Sequence, residues 1–162
     1  MKSAIVLAAA LALGSTQTPN QSFAGTWTAE HAGQIFVRLE LEGVGAALGG
    51  RMSLGDVEVD KTGQLKTVKA PKREATPIFD VVERAGKLTF ARKDGQETDR
   101  FEMKLIDSST AELALVITES MRKDLASEGI SDFKPFRLKK LARNRSLVPR
   151  SRAELRDRPR IP

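Results

Sequence analysis

Apolar and polar residues alternate along much of the chain with a period of two. The stretch 34–42 places every second residue on one predicted buried face: Ile35, Val37, Leu39 and Leu41. The same alternation recurs in residues 98–106 and 110–117. Because successive side chains of a strand point to opposite faces, this pattern predicts β-strands with one face buried and the other solvated.

Turn signals separate the predicted strands at intervals of about 8–12 residues. They are pairs in which glycine supplies a positive φ or aspartate caps the turn: Glu42-Gly43, Thr62-Gly63, Ala85-Gly86, Asp94-Gly95 and Asp107-Ser108. We predict strands at residues 23–29, 34–42, 46–54, 57–60, 64–70, 77–84, 87–93, 98–106, 110–117 and 133–141. Regular short strands of this kind form a meander that builds a barrel or a sandwich.

One helix is predicted from Glu119 to about Ser127. Thr118 can cap its start, and Gly129 ends it. Its apolar residues are few, so we expect it on the outside of the sheet.

The start of the first predicted strand resembles a family signature. Gly25-Thr26-Trp27 holds the only tryptophan of the chain, and Gly-x-Trp at this place resembles the calycin barrels, the lipocalins and avidins. In that family the glycine allows a tight turn and the tryptophan plugs the closed end of the barrel. The resemblance implies a cation over the indole, for which Arg137 is the candidate and Lys139 the second.

The order of elements, a run of strands, one helix and a last strand, is also similar to that of lipocalins. The first hairpin, with Gly33 and the glycines of 45–50, is similar to that of bacterial avidins. The further tryptophans and the tyrosine of the avidin biotin site are absent. The fold class implied for residues 21–142 is all-β, an antiparallel meander barrel of about 8–9 strands with one helix before the last strand. The alternative is another antiparallel fold in which Trp27 is a core aromatic.

An eight-stranded barrel is just wide enough for its own side chains or for one small ligand. The predicted inward residues would fill or line that interior: Val37, Leu39, Phe90, Phe101, Met103 and Leu115. The leading hypothesis is therefore a binding protein for a small apolar ligand. The alternative is a protein-interaction or sensing module of the cell envelope without such a ligand.

Residues 1–20 have the three parts of a secretory signal peptide. Lys2 precedes the apolar run 4–13, and small residues at Ala12 and Gly14 suit a signal peptidase. The run is shorter than the ~20 residues of a membrane-spanning helix. We expect a periplasmic or secreted bacterial protein without a transmembrane segment. The chain has no cysteine, so a lipid anchor on cysteine and disulfide bonds are excluded.

The net charge of +6 comes almost entirely from residues 143–162, which contain seven arginines and only two acidic residues, Glu154 and Asp157. We predict this tail to be disordered and attracted to an anionic envelope surface. It has no aromatic residue to stack on bases, so nucleic acid is not an expected partner.

Reactive chemistry is scarce in the composition. The chain has one histidine, His31, and no cysteine or tyrosine, which leaves no set of ligands for a typical zinc site. The acidic alternation Asp56-x-Glu58-x-Asp60 fits a solvated strand face, because Lys61 stands where a calcium loop needs glycine. We predict a protein that is not an enzyme and uses neither a cofactor nor a metal.

Overall fold

The computed structural model describes residues 22–130 and 132–142. The predicted signal peptide and the predicted disordered tail therefore lie outside the described residues.

Eight antiparallel strands close into a barrel in the order β1-β10-β9-β8-β7-β6-β3-β2. Their bounds are β1 Gly25–His31, β2 Gln34–Glu42, β3 Gly49–Leu54, β6 Thr76–Arg84, β7 Lys87–Asp94, β8 Glu97–Leu105, β9 Thr110–Leu115 and β10 Phe136–Lys140. The first strand pairs with the last, so neither keeps an unpaired edge. The predicted all-β meander barrel is confirmed.

Two short strands, β4 Val57–Val59 and β5 Leu65–Val68, form a separate hairpin inserted between β3 and β6. The sequence predicted strands here, but their alternation does not tell whether they join the barrel wall. Val57, Leu65 and Val68 pack against the barrel core. The hairpin therefore covers the barrel instead of widening it.

The connection between β2 and β3 contains a 3₁₀ turn, Gly45–Ala47, where the sequence predicted a strand from residue 46. The amide of Ala47 donates to the carbonyl of Val44, and the amide of Leu48 donates to that of Gly45, both at 3.1 Å. These local bonds replace the ladder bonds of a strand, so β3 begins only at Gly49.

The alternation of β2 is broken near its start. Ile35 is 43% exposed, whereas Phe36 and Val37 are both buried. The β1–β2 register shifts between Ala29 and Glu30, and such an irregularity changes which residues face inward. Ile35 was expected inside and lies outside, while the alternation holds from Val37 onward.

The helix α1, Glu119–Ser127, begins and ends where the sequence predicts. The Thr118 hydroxyl accepts a hydrogen bond from the amide of Met121 at 3.3 Å, as an N-cap does. None of its residues is buried, so α1 lies on the outside of the barrel before β10.

The antiparallel order gives the barrel two different ends. We call the end where β1 begins and β10 ends the closed end; it also carries the connections 43–48, 85–86 and 106–109. The opposite end, which we call the open end, carries the turn 32–33, the turn 95–96 and the β4–β5 hairpin. Ser22 and Ala142, the first and last described residues, both lie at the closed end, lining one cavity with Gly25 and Lys140.

The adjacent glycines Gly49 and Gly50 offer a matched pair for testing the β2–β3 contact. A Cβ at Gly50 would lie 1.8 Å from the carbonyl oxygen of Glu40 in β2, whereas one at Gly49 would meet nothing within 4 Å. We expect Gly50→Ala to lower the free energy of unfolding by about 1–3 kcal/mol, because a backbone must move. Gly49→Ala should change it by less than about 0.5 kcal/mol. Urea denaturation followed by Trp27 fluorescence measures both, and equal losses would contradict this close approach.

Candidate functional site at the ends of the barrel

The residues predicted to line or fill the barrel do meet in its interior. Val37, Leu39, Phe90, Phe101 and Met103 are each at most 2% exposed and belong to one core cluster. The rings of Phe90 and Phe101 stack with centroids 5.5 Å apart. The sixth residue, Leu115, is half-buried and packs against the same cluster.

Side chains occupy the space where a ligand was expected. Five cavities with volumes between about 260 and 600 Å³ lie among the described residues, and none of the five is lined by any of those six side chains. Further large residues fill the interior, each less than 2% exposed: Trp27, Phe36, Leu41, Met52, Leu88, Leu113 and Leu138. The packing indicates a solid core rather than a binding chamber.

At the closed end, the indole of Trp27 is completely buried. Its Nε1 donates a hydrogen bond to the carbonyl oxygen of Phe23 at 2.7 Å. The ammonium of Lys140 lies 4.9 Å from the centre of the ring and donates to the carbonyl oxygen of Ser22 at 2.8 Å. The tryptophan thus joins the segment before β1 to the end of β10, and its one polar group is satisfied.

The cation over the indole is Lys140 and not Arg137, the residue that the resemblance implied. Phe136 and Leu138 are buried and Arg137 is exposed, so Arg137 and Lys139 point outward and Lys140 shares the inward side. Lys140 is also the direct cross-strand partner of Trp27. The sequence of β10 already indicates that Lys140 lies on the inward side, because it follows the apolar residues Phe136 and Leu138 at steps of two.

Gly25 completes the closed end. Its φ is +135°, and a Cβ there would lie 2.5 Å from Cε of Lys140. Because Gly25 has no side chain, the side chain of Lys140 has room to cross β1 and reach the indole. Gly25 and Trp27 thus both belong to the closed end, and the cation that accompanies them is Lys140 instead of the arginine that the resemblance implied.

We predict that Lys140→Met lowers the free energy of unfolding by about 0.5–2 kcal/mol, because it keeps the apolar stem and removes the charge over the ring. The control is Lys139→Met on the outer face of the same strand, which should change it by less than about 0.5 kcal/mol. Trp27 is the only tryptophan, so its emission reports on this site alone. Equal effects of the two substitutions would rule out a specific cation–π contact.

At the open end, the β4–β5 hairpin is tied to the segment before β10. The amide of Lys134 donates to the carbonyl of Gly63, at the hairpin turn, at 3.1 Å. Within the turn, the Asp60 carboxylate accepts bonds from the amide and hydroxyl of Thr62, at 2.8 and 2.7 Å, and from the amide of Gln64 at 3.1 Å. The Thr62 hydroxyl, followed by the Gln64 amide, holds the pKa of Asp60 below its ordinary value.

This lowered pKa predicts how the hairpin responds to acid. The folded-state pKa of Asp60 lies below its ordinary value of 3.8, so its contribution to stability is complete above that value and is lost as the pH falls through the folded pKa. We expect Asp60→Ala to lower the urea midpoint at neutral pH and the gap to wild type to close below about pH 4. Glu97→Ala, at the exposed first residue of β8, is the control. A gap that does not change with pH would contradict the assignment.

A cluster of charged residues, Arg92, Asp94 and Asp99, lies beside this hairpin and was not predicted from the sequence. Arg92 is 6% exposed, and its inward direction follows from the alternation Leu88, Phe90, Arg92. Its guanidinium donates to the Asp99 carboxylate at 3.2 and 2.9 Å and to Asp94 at 3.1 Å. Asp99 is the direct cross-strand partner of Arg92, so the buried charge is neutralised where it enters the barrel.

A cavity of about 260 Å³ adjoins Arg92 and is lined by charged side chains of both signs. Two ion pairs lie among these side chains: Arg73 with Asp94 at 2.9 Å, and Lys72 with Asp56 at 2.8 Å. The pairing leaves this cavity close to neutral. It closes the open end with polar groups and does not present a cluster of uncompensated charge to a ligand.

Groups that could perform catalysis do not converge among the described residues. His31 is half-buried at the end of β1, and its side chain makes no hydrogen bond or ion pair with the rest of the described chain. No three side chains of histidine, aspartate or glutamate in the described ranges are placed to share a metal ion. The same ranges contain no buried side-chain nitrogen or oxygen that lacks a partner.

The fold and these two ends define a closed, eight-stranded antiparallel barrel, which is consistent with a calycin-like architecture. No family model, curated protein or solved structure matches the chain. Among the described residues, no helix combines the length and the apolar character that a bilayer span requires.

Proposed function

We propose that this protein is an exported, non-enzymatic interaction module of the cell envelope that binds its partners through the outside of a solid barrel. The observation that carries the proposal is the filled interior. Five of the six predicted lining residues are at most 2% exposed, and the stacked Phe90 and Phe101 stand where a carrier would hold its ligand.

A small apolar ligand would have to displace this core. Removing one large side chain from a packed interior costs about 3–5 kcal/mol, and a ligand chamber needs the space of several. The lipocalin-like ligand-binding hypothesis, which the Gly25 and Trp27 resemblance suggested, is therefore the weaker of the two. What supports the calycin-like interpretation is the architecture and the closed end, not a binding chamber.

The proposal of a non-enzymatic role has its own support. The only histidine of the chain, His31, has no nucleophile or orienting carboxylate bound to it among the described residues. Three acidic residues of the open end, Asp56, Asp94 and Asp99, are engaged in ion pairs with arginine and lysine. Export is proposed from the features of residues 1–20 described above.

We expect the purified protein to carry no small molecule and to bind no fluorescent fatty acid at one site per chain. Native mass spectrometry of the protein from envelope extracts tests the first point, and titration with a displaceable fluorescent lipid tests the second. A lipid-carrying lipocalin serves as the positive control. A ligand bound at one molecule per chain would overturn the proposal and favour transport. The same conclusion would follow if the fluorescent probe bound, was displaced by unlabelled lipid, and failed to bind the Phe101→Leu variant while still binding the control variant Val116→Ala.

A further inference from the structure

Exposed apolar side chains concentrate at the closed end of the barrel. The described residues include six large hydrophobic residues that are exposed, and four of them lie at this end: Val44 at 76%, Val82 at 53%, Leu141 at 46% and Ile106 at 45%. The other two, Ile35 and Val116, lie at the open end. The closed end therefore carries the larger share of these side chains, and exposed apolar residues that lie near one another are typical of a contact surface.

The connection 43–48 is the most prominent part of this surface. It contains only glycine, alanine, valine and leucine, and every residue in it except Leu48 is exposed. Gly45 and Ala46 line a cavity of about 590 Å³ together with Val82 of β6, so the connection adjoins that strand. We call Val44, Ala46, Val82, Ile106 and Leu141 the apolar rim.

The last described residue before the basic segment 143–162 lies at the same end. Charged residues of both signs lie around the rim: Glu42, Glu83 and Asp107 beside Arg84, Lys87, Lys139 and Lys140. The chain then leaves the barrel at Ala142, beside Leu141 of the rim, and residues 143–162 carry a net charge of +5. A nearly neutral apolar surface is thus followed at once by a strongly basic segment.

This combination matches the chemistry of an anionic lipid bilayer. A bilayer accepts exposed apolar side chains at the level of the headgroups and attracts arginines to its anionic lipids, and each attraction alone gives only weak, reversible binding. We propose that the closed end docks on an anionic bilayer, with the apolar rim at the headgroup boundary and the arginine tail on the headgroups. The inference rests on the proposed function, because it names the partner of the barrel's outer surface.

A second copy of the chain is the competing occupant of the rim. Joining two closed ends would bring together the two points from which segments of net charge +5 continue. Their repulsion opposes such a dimer. Docking on an anionic bilayer involves no such repulsion, and each arginine near the headgroups makes binding more favourable. We therefore propose the bilayer as the occupant.

The test is flotation of the exported protein, its N-terminus first determined by mass spectrometry, with vesicles of phosphatidylcholine alone or mixed equally with phosphatidylglycerol. We expect binding to the mixed vesicles only, and a decrease as salt is raised because screening shortens the reach of the tail. Replacing all seven tail arginines by glutamine should weaken the partition coefficient at least about tenfold.

The rim is tested by a pair of double variants with the same change in charge. Val44→Asp with Leu141→Asp should weaken binding several-fold, whereas the control, Ile35→Asp with Val116→Asp at the open end, should keep it. Circular dichroism and the emission of the buried Trp27 verify that every variant is folded. Ile106→Asp serves as a substitute if Leu141→Asp unfolds.

Three results would overturn the docking proposal. They are absence of binding to mixed vesicles, equal binding to neutral vesicles, and equal loss from the rim and control variants. Binding that depends on the tail but not on the rim would also reject the closed end as the docking face. A concentration-dependent dimer lost in Val44→Asp would assign the rim to self-association. None of these outcomes bears on whether the interior holds a ligand, which the displacement titration decides separately.

Discussion

Closure of the barrel between β1 and β10 is the constraint on which the rest of the structure depends, and the buried indole of Trp27 is at its centre. The two strands share only the pairs Trp27–Lys140 and Thr28–Lys139, so few ladder bonds hold the seam. The indole adds a hydrogen bond to the Phe23 carbonyl, and Lys140 adds a cation over the ring and a bond to the Ser22 carbonyl. These contacts fasten the beginning of the barrel to its end. An open seam would expose two strand edges and the core behind them.

A closed barrel with a filled core leaves its outer surface as the part to which our proposal assigns binding. The two ends then differ in their chemistry because of the residues that close them. At the open end, Arg92 enters the barrel and is neutralised by Asp99 and Asp94, and the β4–β5 hairpin packs over the core. At the closed end, the connection 43–48 is apolar and exposed, and the basic tail starts beside it. Ion pairs satisfied within the molecule need no partner, whereas an exposed apolar rim gains free energy by contacting one.

Much of the fold could be predicted because each signal is local. The alternation in β2 from Val37 onward, the turn glycines and the Thr118 cap act over two to four residues, and all are confirmed. The predictions that were wrong or incomplete concern residues whose direction depends on pairing with a strand that is distant in sequence. The β1–β2 register shift moved Ile35 outward. Lys140, rather than Arg137, covers the indole because β10 enters the barrel with Phe136 and Leu138 facing inward. Arg92 was not among the predicted interior residues, although the alternation of β7 buries it beside its cross-strand partner Asp99.

The sequence by itself determined that the protein is a strand protein with one external helix, that cysteine plays no part in it, and that its net charge belongs to residues 143–162. These properties follow from composition and from the period of the side chains, which a chain carries before it folds. Only the tertiary structure decided that the interior is filled, that β4 and β5 leave the wall, and that the exposed apolar residues gather at the end from which the tail departs. Each of these depends on how the strands pack around the closed barrel, and no single stretch of the chain fixes that packing.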